Sequence, residues 1–408
     1  MLATLIPLFD ETMAVKAYSL FAQKKNYLLT PSLLGTGSND GAVDIVGLDL
    51  IESMGIETLS ADKEVFVEVN NISIFSDINE QIQTPHDRLV LLANHTIKPD
   101  EVYVKRLKEL KKMGYKMAIR KLSDDSFEAY RNVLLLMDYI LLDNKKNNMK
   151  EAKDYFSKFY PKMKLCAVNV DSIEELDVLK AEGGYDLYEG GFFRVPVTQG
   201  QAEVAPLKEN YIELLNLVND NDFDLSKAAD VIGRDTALVI SLLGIVNRLS
   251  LNSEITSIRH AAAMLGQKEL KKWINTAVTN ELCADKPNEI TRLSLLRAKF
   301  AENLAPIFEM AVFSSELFLM GLFSVLDLIL DKPMAEALQM VKVSKHIEEA
   351  LVDRKGELAP VLDFILHYEN ASWQEVSRQM VLKNIDMNHV YDAYTKSLQW
   401  YRDLFGVK

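Results

Sequence analysis

The sequence predicts an α/β first half followed by an all-helical second half. Three observations carry this reading. Short β-rich runs alternate with helix-period stretches as far as residue 193, no alternating run follows, and a polar segment with proline near each end, residues 195–206, separates the two patterns.

The strand-like runs are residues 4–9, 64–69, 89–93, 116–122, 139–143, 164–170 and 187–193. Between two of them, Val102, Leu107 and Leu110 recur at helical spacing over residues 99–113, and Gly114 supplies the stop. Strands separated by helices pair in parallel. Seven such strands, with an eighth expected near Ile45, suit a closed barrel better than an open sheet, although periodicity alone does not choose between them. After the polar segment, Leu207, Tyr211, Leu214 and Val218 form one apolar stripe, and Ala228, Ala229 and Ile232 precede Gly233 as a C-cap. A helix opening near Asp235 carries Leu238, Leu242, Ile245, Val246 and Leu249, and a short one runs from Ser257 to Gly266. The expected division is a barrel over residues 1–197, a linker over 198–206 and a helical domain over 207–408. No internal repeat or low-complexity tract is visible.

Composition narrows the function classes. Apolar residues make up 48% and charged residues 26%, enough for two sizeable cores. A net charge of −13 argues against a general nucleic-acid or anionic-membrane surface, which needs a basic stripe. Cys166 and Cys283 stand far apart without CxxC spacing, so neither a disulfide framework nor a thiolate metal site is expected, and a reducing compartment fits. The N-terminus lacks a basic n-region and meets Asp10 and Glu11 too early for a signal peptide. The most apolar stretch, residues 308–330, is interrupted by Glu309, Glu316 and Asp327, which favours a buried helix pair over a membrane span. The expected location is the cytoplasm.

The order of several short stretches resembles a known family. Leu5-Ile6-Pro7-Leu8-Phe9-Asp10 is followed by Ala17-Tyr18-Ser19-Leu20-Phe21, then by the run from Leu107 through Gly114 to Ile119, then by Tyr185-Asp186-Leu187-Tyr188-Glu189-Gly190-Gly191-Phe192-Phe193. Together they resemble the EAL-type cyclic di-GMP phosphodiesterase domain. The second half is similar to its HDOD partner domain through residues 217–225, through Ile245-Val246-Asn247-Arg248, and most specifically through residues 257–266, beginning Ser257-Ile258-Arg259-His260. The resemblance covers essentially the whole chain and implies a (β/α)8 TIM-type barrel fused to an all-α HDOD domain.

Hydrolysis in that family uses a pair of divalent cations, which need clustered oxygen ligands at the C-terminal ends of the barrel strands. By the resemblance, the glutamate of the Glu-Ala-Leu signature falls at Ser19 and the following arginine at Gln23. The metal-binding asparagine falls at Glu68, the next glutamate at Leu92, and the paired aspartates at Arg120 and Lys121. A later aspartate survives as Asp143. The catalytic lysine falls at Asn169, the glutamate beyond it at Asp171, and the late glutamine at Glu189. Two fixed positive charges and a leucine leave too few oxygens, so no catalytic residue, metal or cofactor is expected. Arg120 and Lys121 are adjacent on a strand, so only one can face the interior, where ion pairs with Glu68, Asp143 or Glu189 would replace the metals. Outward solvation and retention of the charge as a phosphate anchor are the alternatives.

The helical half lacks the histidine and aspartate set of HD-type phosphohydrolases. The one His-Asp step, His86-Asp87, lies in the first half and reads as a loop, and His260, His346, His367 and His389 are scattered. Gly35 to Gly41 has the wrong spacing for a phosphate loop. The expected function is therefore a non-catalytic bacterial signalling protein, a scaffold or regulator acting on unidentified protein partners. A cyclic di-GMP receptor without hydrolysis and a residual phosphodiesterase are the competing readings, and a homodimer is left open.

Overall fold

In the computed structural model, which describes residues 1–26, 28, 44–198, 206–220, 222–233, 235–249, 255 and 257–405, eight strands close into a barrel in sequence order. They are β1 (Leu2–Phe9), β2 (Val15–Gln23), β3 (Glu64–Glu68), β4 (Leu89–Asn94), β5 (Lys116–Arg120), β6 (Tyr139–Asp143), β7 (Lys164–Val168) and β8 (Leu187–Tyr188). From β2 to β8 every neighbour is parallel, whereas β1 runs antiparallel to both β2 and β8.

The eighth strand is thus not near Ile45, as expected, but is Val15–Gln23, the second arm of a hairpin. Ile45 is buried just ahead of the helix Leu48–Met54. A tight local reversal makes the hairpin. The Asp10 carboxylate accepts from Thr12 N, Thr12 Oγ1 and Ala14 N at 2.8, 2.6 and 3.0 Å, and Met13 takes φ 66. Burial pushes this carboxyl up, but the bonds from Thr12, Ala14 and Lys16 outweigh it and bring it to about 2.

The helices between strands are set by their caps. Glu101–Lys112 starts where Asp100 accepts from Val102 N and Tyr103 N and stops at Gly114, φ 94. Asn148 and Ser172 cap Met149–Phe159 and Ile173–Glu182 in the same way. Leu8, Ala17, Phe66, Val90, Leu92, Ala118, Leu141, Cys166 and Leu187 pack together as one barrel core. Because side chains alternate along a strand, the residues two positions further along share that inner face. Those residues are Ser19, Glu68, Asn94, Arg120, Asp143 and Glu189, and they form the mouth at the C-terminal ends of β2 to β8.

The chain forms two compact units. One comprises Met1–Val195, Asn303–Ala311 and Asp363–Lys408, the other Pro196–Glu302 and Val312–Leu362. This differs from the expected assignment of all of residues 207–408 to one helical domain, because the C-terminal helices group with the barrel. Tyr368 is fully buried in the barrel unit and its hydroxyl accepts the Ala3 N–H at 3.2 Å.

The second unit is helical, and among the described residues no strand follows β8. Pro206–Val218, Leu225–Ile232 and Thr236–Leu249 succeed one another, the last opened by Asp235 Oδ1 accepting from Leu238 N at 3.0 Å. Ser257 caps Ile258–Leu282, which breaks at Gly266, φ 74, where the sequence places a helix end. The apolar stretch folds as the helices Ser314–Phe323 and Leu326–Leu330, with Leu317 and Met320 fully buried. Gly321 is required there for space, since a Cβ would stand 2.4 Å from the Arg297 carbonyl oxygen. No helix among the described residues is long and apolar enough to cross a membrane.

Candidate functional site

The barrel mouth is built on one ion pair. Arg120, at the end of β5, follows Ala118 on the inner face and donates from a terminal guanidinium nitrogen to Glu68 Oε2 at 3.1 Å. Its guanidinium lies 4.7 Å above the Phe21 ring, and its Nε has no hydrogen-bond partner. Glu68 Oε1 accepts from Asn94 Nδ2 at 3.0 Å, so both carboxylate oxygens are engaged. Lys121 is thrown off the strand by φ 61, and its ammonium stands 4.0 Å from Glu68. Burial lowers the Lys121 pKa and the Arg120 charge adds to this, against the pull of Glu68. Of the adjacent pair, Arg120 is the more enclosed, and Lys121 approaches the same carboxylate from the rim.

On the neighbouring strand β2, Ser19 is fully buried and donates to Glu189 Oε2 at 2.8 Å. Burial pushes the Glu189 carboxyl above its ordinary value, and the Ser19 bond and the Arg120 charge only partly offset this. Leu92 belongs to the apolar core below. Asp143 is buried, accepts from Lys145 N at 3.0 Å and lies 3.5 Å from the Lys146 ammonium. Asn169, φ 59, is exposed just beyond β7, and so is Asp171, whose carboxylate meets Lys145 at 3.4 Å. Gln23, at the C-terminal end of β2, donates to Lys25 O at 2.6 Å and Ser377 Oγ at 3.3 Å.

Glu68 with Arg120 and Ser19 with Glu189 are therefore brought together in the mouth, whereas Asn169 and Asp171 are solvent-exposed. Of the expected replacements for metal ligands, the Arg120–Glu68 pair is formed, while Asp143 pairs with Lys146 and Glu189 with the Ser19 hydroxyl. Sequence reasoning missed Asn94 and Phe21. Strand alternation carried the signal for Asn94, two residues beyond Leu92; the cation–π contact of Phe21 depends on barrel closure.

This donor set does not fit a pair of divalent cations. Such ions take six or more oxygen ligands each, and here the guanidinium of Arg120 occupies the side of Glu68 that an ion would need. Among the described residues no group of three or more His, Cys, Asp or Glu is placed to hold a metal ion.

Elsewhere, His86 stacks on Tyr115 at 4.1 Å with Nδ1 2.9 Å from Met113 O, in the short turn His86–Arg88. His260 is exposed on its helix, His346 lies beside Glu316 and His367 beside Asp363. The glycine-rich segment from Gly35 to Gly41 lies outside the described residues. The helical unit holds a cavity of about 800 Å³ lined in part by Tyr211, Leu214, Asp220, Asp235 and Lys342. Its walls are tied internally, Tyr211 to Asp235 at 3.1 Å and Lys342 to Asp220.

Comparison with known proteins identifies this helical region. Residues 204–357 match the HDOD domain family. This stretch is an HDOD domain. The HDOD-bearing chain is 24% identical to the uncharacterized protein YuxH of Bacillus subtilis, across 98% of both chains. It is also 24% identical to the cyclic di-GMP phosphodiesterase CdgJ of Vibrio cholerae, across 86% of this chain and 82% of that one. Among solved structures, the Bacillus subtilis YkuI protein, which has an EAL domain and is in complex with substrate cyclic di-GMP and calcium, matches at 12% identity and TM-score 0.35, over 59% of this chain and 72% of that one.

Proposed function

We propose that the protein is a non-catalytic regulator in cyclic di-GMP-related signalling, a barrel that no longer hydrolyses the dinucleotide joined to an HDOD domain that engages protein partners. The observation that carries this is the Arg120 guanidinium seated on Glu68 at 3.1 Å in the barrel mouth. A fixed cation there opposes the binding of a divalent ion, and Leu92 at the neighbouring strand offers no oxygen. The relationship to CdgJ supports the signalling context, and the chemistry of the mouth supports the loss of turnover.

Ligand binding without cleavage is the second reading. Lys121 and Lys146 favour it, as half-exposed and exposed cations at the rim. One experiment separates the three outcomes. The full chain is incubated with cyclic di-GMP and either magnesium or manganese, linear product is followed by chromatography, and binding is followed by calorimetry. Neither product nor saturable heat is expected. Product that disappears in Asp143→Asn would overturn the proposal, and micromolar binding without product would replace it with the receptor reading.

A further inference from the structure

We infer that residues 363–369 and the helix Trp373–Leu382 form a built-in strap over the β8–β1–β2 side of the barrel mouth, closing the β2 rim to any ligand from solution. Because β1 is antiparallel to β2, the start of β1 lies at the mouth end of β2, with Ala3 paired to Ala22. The strap is tied at that point: the buried Tyr368 hydroxyl accepts from Ala3 N at 3.2 Å. A second tie holds the end of β2. Gln23 Nε2 reaches Ser377 Oγ, and Asn26 Nδ2 reaches Ser377 O, each at 3.3 Å. Gln23 is only 6% exposed and Ser377 3%.

The third tie lies on the other side of β1. Arg194, just beyond β8, donates to Glu369 Oε1 at 2.6 Å and to Asn370 Oδ1, with both members of the ion pair largely buried. Tyr368 packs between Trp373 and Tyr394, with ring centroids 5.4 and 5.0 Å away. Anchors on both sides of β1 and an aromatic centre make this a closed ground state rather than a flap. Polar groups buried in this way are costly to uncover, because each would have to find a new partner. The inference is independent of whether the barrel hydrolyses anything.

The test is thiol labelling of the full chain carrying Gln23→Cys, the two native cysteines being buried. Lys146→Cys, at a side chain 77% exposed, serves as the open reference. Labelling at position 23 is expected to be ~100-fold slower than the reference, as for a site reached only by local opening, and to rise at least ~10-fold when Arg194→Glu and Tyr368→Phe are added. Equal rates at the two positions, or a rate unmoved by the added substitutions, would overturn the strap. Hydrogen exchange with no cysteine introduced is the second measurement. Arg194→Glu should speed exchange at the mouth end of β2 and leave β6 unchanged; no change in β2, or an equal change in β6, would also overturn it.

Discussion

The Arg120–Glu68 pair can be weighed by a double-mutant cycle with Arg120→Ala, Glu68→Gln and the double variant. The pair is a charge-assisted hydrogen bond of 3.1 Å between side chains 14% and 33% exposed. Such bonds contribute about 1.5–3 kcal/mol, and the partial exposure of Glu68 to solvent puts this one at the lower end. Losing the contact with Phe21 adds about 0.5–1 kcal/mol to Arg120→Ala alone and cancels in the cycle. Arg120→Ala should thus cost about 2–3 kcal/mol in barrel stability, with a coupling energy to Glu68 of about 1–1.5 kcal/mol. The assay is urea unfolding followed by hydrogen exchange in β3 and β5, which reports on the barrel unit separately from the helical one. A coupling energy within about 0.3 kcal/mol of zero would mean that the two charges do not meet in solution. The electrostatic basis for excluding metal would then fall.

Three other outcomes are expected. Burial raises the Glu189 carboxyl above its unfolded value, so the wild type should lose stability as pH rises from the ordinary carboxyl range through the raised value, and Glu189→Gln should remove that loss; parallel pH–stability curves would refute this. Gly190→Ala puts a Cβ 1.9 Å from the Val170 oxygen, between the Glu189 O to Val170 N and Val170 O to Phe192 N bonds. The backbones must separate, which should cost about 3–5 kcal/mol, read from the shift in the barrel's denaturation midpoint. Tyr368→Phe leaves the Ala3 N–H without its acceptor and should cost about 1–3 kcal/mol, read as faster exchange at the start of β1.

The legible parts of the fold were those governed by local chemistry. The spacing of Val102, Leu107 and Leu110 and the stop at Gly114 mark a helix in sequence, and Glu101–Lys112 is that helix in space. The break at Gly266 was readable for the same reason, since a helix cannot continue through φ 74. Strand β2 was missed because its inner face mixes Ala17, Ser19 and Gln23 with the apolar Phe21, which weakens the alternation. Its register depends on the Asp10 turn rather than on apolar pattern. At the site, the charge types at residues 68, 120 and 189 were readable and Glu68 was one of three carboxylates expected to meet the inward cation, but the choice among them and the Ser19 partner of Glu189 were not. Ser19 meets Glu189 across 170 positions of sequence, and no local rule connects residues that distant.

The succession of α/β and all-α halves and the helix stops at Gly114 and Gly266 were determined by the amino-acid sequence alone, because each depends on residue type and short-range spacing, and the family resemblance added that cations stand where a metal site would need oxygens. Which of Arg120 and Lys121 is the more enclosed, and which carboxylate receives it, was decided only when eight strands closed with one register. The attachment of the C-terminal helices to the barrel was decided in the same way. Tyr368 and Ala3 lie 365 residues apart, and only burial of the aromatic ring against β1 brings the hydroxyl to the one N–H that needs it.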